Sequence, residues 1–367
     1  MKLCKGAVLA LAISYGLIYC HTNKSKFMLE QKGDSLTLIH ITNPTNYILL
    51  PIEEEAEESW VRLDIGDAAD TDMDIRLAQT KVDYWVPFVL PADAKTVTVR
   101  VQKSLGDALC WKEMKLSDTF DPSHTDKFRP VYHHAPLYGW MNNANGLVYE
   151  DEEYHLYYQY NPYGSKWGNM HWGHSISKDL MHWEHLAPAI VRDTLGHIFS
   201  GSSIVDQENV AGYGTGTILA FYTSASDKNG QIQCLAYSND NGRTFTKYDK
   251  NPILRSSDRR KDFRDPKVFW YAPGNKWIMI VAADKEMCFY DSEDLKDWNY
   301  MSSFGEGYGV QPCQFECPDM VELPVDGDTE HKKWVLIVNV NPGCYFGGSA
   351  TQYFIGDFDG TRFICDS

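Results

Sequence analysis

The chain has 367 residues, more than one domain usually holds, so a large unit with a smaller companion is expected. Its 50 acidic side chains against 34 basic ones leave a formal charge of -16 before histidine, a field that repels phosphate backbones and anionic lipid. Nucleic acid is thereby set aside as a partner, whereas a neutral carbohydrate is indifferent to that field. The chain opens with Lys2 and Lys5, followed by an apolar run from Ala7 to Ile18. That run is too short to cross a bilayer and has the form of an export signal, so residues 1–20 are left out of the fold and no membrane-spanning segment is expected. It ends in Leu17-Ile18-Tyr19-Cys20, similar to a lipoprotein signal except that Tyr19 replaces a small residue. Lipidation at Cys20 and ordinary export stay open as rivals, and the destination is periplasmic, cell-surface or extracellular.

Residues 21–118 alternate in short runs, as in Ser35-Leu36-Thr37-Leu38-Ile39-His40-Ile41 and Lys95-Thr96-Val97-Thr98-Val99-Arg100-Val101, broken by turn residues. This predicts a small β-sandwich-like accessory domain, without a visible catalytic constellation. Residues 119–130, with Asp121-Pro122-Ser123-His124, read as a linker. Beyond the export segment the cysteines are Cys110, Cys234, Cys288, Cys313, Cys317, Cys344 and Cys365. Their number is odd and their spacing irregular, which argues for neither a zinc site nor a disulfide framework, and no metal or cofactor is expected.

From residue 131 onward the chain repeats itself. Ser177-Lys178-Asp179-Leu180-Met181-His182-Trp183 recurs as Ser238-Asn239-Asp240-Asn241-Gly242-Arg243-Thr244-Phe245 and as Ser292-Glu293-Asp294-Leu295-Lys296-Asp297-Trp298, with a weaker echo in Asp357-Phe358-Asp359-Gly360-Thr361-Arg362-Phe363. Each copy is a polar turn ending in an aromatic residue, and each follows apolar strands. No stretch sustains a helical period, so a helical solenoid is excluded. Four units at spacings of roughly fifty to sixty-five residues predict propeller blades. The expected fold is therefore all-β, a sandwich followed by a five-bladed β-propeller over 131–367, of which about four blades are present and the last is absent from this sequence. Blades converge on an axis, so motifs far apart in sequence can share one pocket.

The densest chemistry lies in Gly139-Trp140-Met141-Asn142-Asn143-Ala144-Asn145-Gly146, Gln159-Tyr160-Asn161-Pro162 and Trp167-Gly168-Asn169-Met170-His171-Trp172-Gly173-His174. Phe199-Ser200-Gly201-Ser202, Phe263-Arg264-Asp265-Pro266 and Glu316-Cys317-Pro318-Asp319 follow. Taken in order, these motifs resemble glycoside hydrolase family 32, the invertases, inulinases and levanases, in a bacterial-type secreted form with an N-terminal β domain. The family opens its propeller with Trp-Met-Asn-Asp-Pro-Asn-Gly. Any one motif alone is weak, since Arg-Asp-Pro occurs in many turns, but six in order over about residues 132–363 are specific.

The resemblance implies hydrolysis of terminal β-D-fructofuranosyl residues of fructans or sucrose by a retaining mechanism, with a nucleophile and an acid roughly 5 to 5.5 Å apart. It puts the nucleophile at position 143, the acid/base at Glu316 and a transition-state stabiliser at Asp265, with Arg264 keeping Asp265 ionised and aimed. Trp140, Asn142, Gln159, Trp167, Phe199 and Ser200 match positions that line the fructose pocket. One departure matters: position 143 is asparagine, whose amide is a poor nucleophile and carries no charge to oppose an oxocarbenium ion. A hydrolase by ancestry with impaired activity and a non-catalytic fructan-binding protein are thus the two readings. Linkage preference is set by loops that periodicity does not read.

Overall fold

The computed structural model describes residues 18–21, 25–33, 35–65, 68–91, 93–102, 107–122, 129–258, 260–311, 313–342 and 346–366. The expected export segment up to residue 17, half of the expected linker (123–128) and Cys344 lie outside these, whereas residues 18–20, expected to be left out of the fold, belong to a strand. The chain separates into two compact units, Met1–His124 with Pro162–Ser165, and Thr125–Asn161 with Lys166–Ser367.

The first unit is a sandwich of two antiparallel sheets. The larger contains β1 (Ile18–His21), β2 (Ser25–Lys32), β3 (Leu36–Thr42), β5 (Ser59–Ile65), β6 (Ala68–Ile75) and β8 (Thr96–Gln102), in the order β1-β2-β3-β8-β5-β6. The smaller is β7 (Tyr84–Val89), β4 (Tyr47–Ile52) and β9 (Lys115–Ser117), in that order. Period-two burial explains the pairing: Val97, Val99 and Val101 of β8 point inward between Thr96, Thr98 and Arg100, opposite Ile41, Ile39 and Thr37 of β3. Ile48, Leu50, Val86 and Phe88 of the smaller sheet belong to the same core.

The second unit is a β-propeller whose four described blades are antiparallel meanders in chain order. They are β10 (Trp140–Glu150), β11 (Glu153–Asn161), β12 (His171–Ser177) and β13 (Glu184–Ile190) in the first blade. The second holds β14 (His197–Asp206), β15 (Thr217–Ser226), β16 (Gly230–Ser238) and β17 (Thr246–Lys247), with β18 (Leu254–Arg255) also pairing on β16. The third holds β19 (Phe263–Tyr271), β20 (Lys276–Ala283), β21 (Glu286–Ser292) and β22 (Asn299–Phe304). The fourth holds β23 (Gln314–Val325), β24 (Asp328–Asn341), β25 (Ala350–Phe358) and β26 (Phe363–Cys365). The opening strands are neighbours in succession, β10 beside β14, β14 beside β19 and β19 beside β23. Central strands such as β15 are buried almost throughout, which is why they read as continuous apolar runs.

The repeated polar turn joins the third strand to the fourth in every blade. In the first, Asp179 Oδ1 accepts from the backbone N–H of Met181 and His182, while Ser177 Oγ accepts from Leu180 N–H. Asp294 and Ser292 repeat the pattern on Lys296, Asp297 and Leu295, and Asp359 accepts from Thr361 and Arg362. The residue after each aspartate is left-handed: Leu180 (φ 63°), Asn241 (φ 53°), Leu295 (φ 66°) and Gly360 (φ 88°). The aromatic residue closing each turn then packs on the preceding blade. Phe245 meets Tyr157, Trp298 meets Phe221 and Phe363 meets Phe304, all edge-on. Trp183, in the first blade, meets His134 instead.

Candidate active site

Each of the four opening strands carries one extra residue at the same level. In β10 the register passes from Met141↔Tyr160 to Ala144↔Tyr158, so Asn142 and Asn143 together oppose a single residue, Gln159. The same slip sets Phe199 and Ser200 against Thr223 in β14, Asp265 and Pro266 against Val281 in β19, and Cys317 and Pro318 against Val338 in β23. A bulge leaves its extra residue out of the ladder and re-aims the side chain. Proline suits such a position because it has no N–H to lose. Asp265 (φ 63°) and Cys317 (φ 47°) take left-handed backbone there, conformations that side chains other than glycine seldom adopt. Gly201, just after the β14 bulge, is required by close approach: a Cβ would stand 1.9 Å from the carbonyl oxygen of Phe221.

The bulges bring together the residues that the motifs single out. Asn142, Asn143, Gln159, Trp167, Phe199, Ser200, Arg264, Asp265 and Glu316 line one cavity of about 280 Å³. Trp140 does not line it; its indole Nε1 donates to Asn142 Oδ1 at 3.0 Å and holds that amide from behind. Asn143 Nδ2 lies 3.4 Å from both Ser200 Oγ and Cys317 Sγ. Gln159 is buried, its Nε2 donating to the carbonyl of Ile198 at 3.0 Å. Trp167 forms an exposed wall beside Phe199.

Charge in the cavity is organised by Arg264. Its guanidinium donates to Asp262 Oδ1 and to Glu316 Oε1, each at 2.6 Å, and its Nε lies 3.8 Å from Asp265 Oδ2. Burial works against the charge of Arg264, yet the carboxylates of Asp265, Glu316 and Asp262 outweigh it and raise its pKa. Asp265 departs from the expectation. Its 6% exposure makes burial the leading influence, and this pushes its carboxyl above the usual range despite Arg264 and the Cys317 N–H, which pull the other way. Arg264 at 3.8 Å is too loosely placed to reverse that cost.

Several neighbours of these residues were given no role by motif reading, although Cys317 lies within one of the motifs. Cys317 donates its backbone N–H to Asp265 Oδ2 at 2.9 Å, and burial drives its thiol pKa far up, so the sulfur stays protonated beside that carboxylate. Asp265 N–H donates to Thr223 Oγ1, which donates to Gln233 Oε1, and Gln233 Nε2 donates to the carbonyl of Phe263. Thr223 and Gln233 sit mid-strand in ordinary apolar runs and carry no local signal. Asp262, two residues before Arg264, could have been found by charge pairing. A second cavity of about 620 Å³ lies beyond the Asp262–Arg264 pair, with Arg260, Lys285, Glu286 and Gln314 in its wall. Gln314 reaches Glu316 Oε1 at 3.5 Å.

A model of the glycosyl hydrolases family 32 N-terminal domain matches residues 133–367, and a domain of unknown function, DUF4980, matches residues 33–132. A levanase of Bacillus subtilis is 52% identical over 252 residues, covering 67% of this chain and 37% of the levanase. An extracellular exo-inulinase of Meyerozyma guilliermondii is 43% identical over 257 residues, covering 66% of this chain and 48% of that protein. The structure of a fructofuranosidase from Schwanniomyces occidentalis complexed with fructose superposes with a TM-score of 0.61 at 41% identity, covering 65% of this chain and 48% of that one. The chain thus spans less than half the length of these relatives.

Proposed function

The chain belongs to the glycosyl hydrolases family 32, and on that premise we propose that its propeller cavity binds a terminal β-D-fructofuranosyl unit of a fructan or of sucrose. The supporting observation is the meeting of Asn143, Arg264, Asp265 and Glu316, from three blades, in one small polar cavity walled by Trp167 and Phe199. Its size suits a single ring at a chain end. Glu316 is the acid that protonates the departing oxygen, and the rest of the substrate extends toward the larger cavity beyond Gln314 and Asp262. Asp265, held by the Cys317 N–H, accepts from ring hydroxyls as the ring gains oxocarbenium character. Position 143 is the nucleophile's place in a retaining mechanism, and the amide of Asn143 cannot form the covalent intermediate, so this form turns over slowly.

A second reading, a fructan-binding protein without catalysis, is favoured by one observation: the Asn143 amide is accommodated by Ser200 and Cys317 with the rest of the cavity complete. The apolar segment before Cys20 and the extracellular relative support export, with lipidation at Cys20 as the alternative to release. Turnover and binding of sucrose, inulin and levan by this chain and by Asn143→Asp test the proposal. Turnover is expected to rise by several orders of magnitude on restoring the carboxylate, with binding little changed. Equal turnover by both forms would remove position 143 from the mechanism, and failure of both to bind any of the three would remove the sugar site.

A further inference from the structure

Trp167 belongs to the loop between β11 and β12, so no ladder fixes the plane of its ring, which is 53% exposed. Two rings from β14 do. His197 stacks on Trp167 with centroids 5.8 Å apart and planes 23° apart, and Phe199 meets it edge-on at 6.0 Å and 68°. His197 and Phe199 are themselves in contact, at 6.1 Å. The imidazole is fixed in turn, because its Nδ1 accepts from the backbone N–H of Met170 at 3.1 Å, three residues beyond Trp167. His197 does not line the sugar cavity, whereas Trp167 and Phe199 do.

We infer that His197 is a positioning residue for the sugar site: its ring face sets the plane of Trp167, the exposed wall against which the bound ring rests. This rests on the fructosyl-site reading above. The arrangement needs a neutral ring with a free lone pair on Nδ1, and burial, helped by the nearby charge of Arg192, lowers the His197 pKa to about 4. Through neutral pH the imidazole is therefore an uncharged stacking partner and an acceptor. It meets the loop at Trp167 and at Met170 and does not line the cavity.

The test separates the ring from the acceptor. KM and kcat on sucrose are measured in the Asn143→Asp chain carrying His197→Phe, which keeps a ring and loses the acceptor, or His197→Asn, which does the reverse. His197→Asn is expected to raise KM by about tenfold with kcat within about twofold, and His197→Phe to stay near the parent. In a Trp167→Ala background, His197→Asn should add nothing, because the residue acts through a ring no longer present. Additive losses, a kcat that falls as far as KM rises, or the opposite order of the Phe and Asn variants would overturn the inference. His197→Gln carries the same comparison if His197→Asn fails to fold. Trp167→Ala alone marks the boundary with the broader proposal: if it leaves KM unchanged, Trp167 is no wall of a sugar site and the premise fails. If it raises KM while the His197 variants do not, the inference alone fails.

Discussion

Asp265 holds the sharpest conflict between stability and chemistry in the molecule. Burial raises its pKa, so the folded chain binds this proton more tightly than the unfolded chain does. Stability from this group is therefore fully present below the unfolded carboxylate pKa and declines as pH rises through the folded value, leaving the ionised form a net cost at neutrality. Asp265→Asn keeps an oxygen for the Cys317 N–H and removes the buried charge. It is expected to raise Tm by about 2 to 4 °C at pH 7, the shift that roughly 1 kcal/mol produces in a unit of this size, while abolishing turnover in the Asn143→Asp background. Calorimetry with a sucrose assay checks both, and a lower Tm would show that the Arg264 contact stabilises the charge after all. The motif around Asp265 was legible because Arg264, Asp265 and Pro266 are adjacent in sequence. The balance of its environment was not, since burial and the Thr223–Gln233 chain come from other strands.

The repeated turns were the most legible elements, because a serine or aspartate, an aspartate two residues on and an aromatic residue six or seven positions on announce themselves without any neighbour. Sequence did not show that the residue after each aspartate is left-handed, a conformation costing a leucine roughly 1 kcal/mol or more. The fourth turn already has Gly360 there. Leu180 is exposed, so Leu180→Asn is expected to gain about 0.5 to 1 kcal/mol in chemical denaturation; a loss would show that its side chain is needed where it lies. Asp294 makes the opposite case. Burial would raise its pKa, but N–H groups of Asp297 and Lys296 and the Ser292 hydroxyl together outweigh this and lower it. Its stabilisation is present above the unfolded carboxylate pKa and lost as pH falls through the folded one. Asp294→Ala should cost about 1 to 2 kcal/mol at pH 7 and much less near pH 2, read from denaturation midpoints at the two pH values. An equal cost at both would mean the turn is held by packing. The ring of bulges left no comparable trace, because a register slip is a relation between two strands. The first residues of the four bulges, Asn142, Phe199, Asp265 and Cys317, do not share a residue type that would betray it.

At the scale of the whole molecule, a run of sequential meanders was legible as a propeller because every blade repeats one strand-turn-strand plan. Convergence of the opening strands on one axis then explains how Asn143 and Cys317, 174 residues apart, come within 3.4 Å. The cavity mouths and their volumes were not legible, since they depend on loops such as the one carrying Trp167. The net charge of -16 bears on the ligand rather than the fold. Around a chain so acidic, any anionic ligand meets a repulsion that salt relieves, and any cationic ligand an attraction that salt weakens, both over a Debye length of about 10 Å at 0.1 M. A neutral fructosyl unit would feel neither, and the carboxyls lining the cavity, Glu316 and Asp265, both lie within 4 Å of the Arg264 guanidinium. The dissociation constant for a β-fructan oligosaccharide is therefore expected to change by less than about twofold between roughly 0.05 and 0.5 M sodium chloride. Calorimetric titration across that range, at constant pH, checks it. A tenfold strengthening with salt would mean the bound species is anionic, and a tenfold weakening that it is cationic; either result would take the site away from neutral fructans even if sugar were still seen to bind weakly.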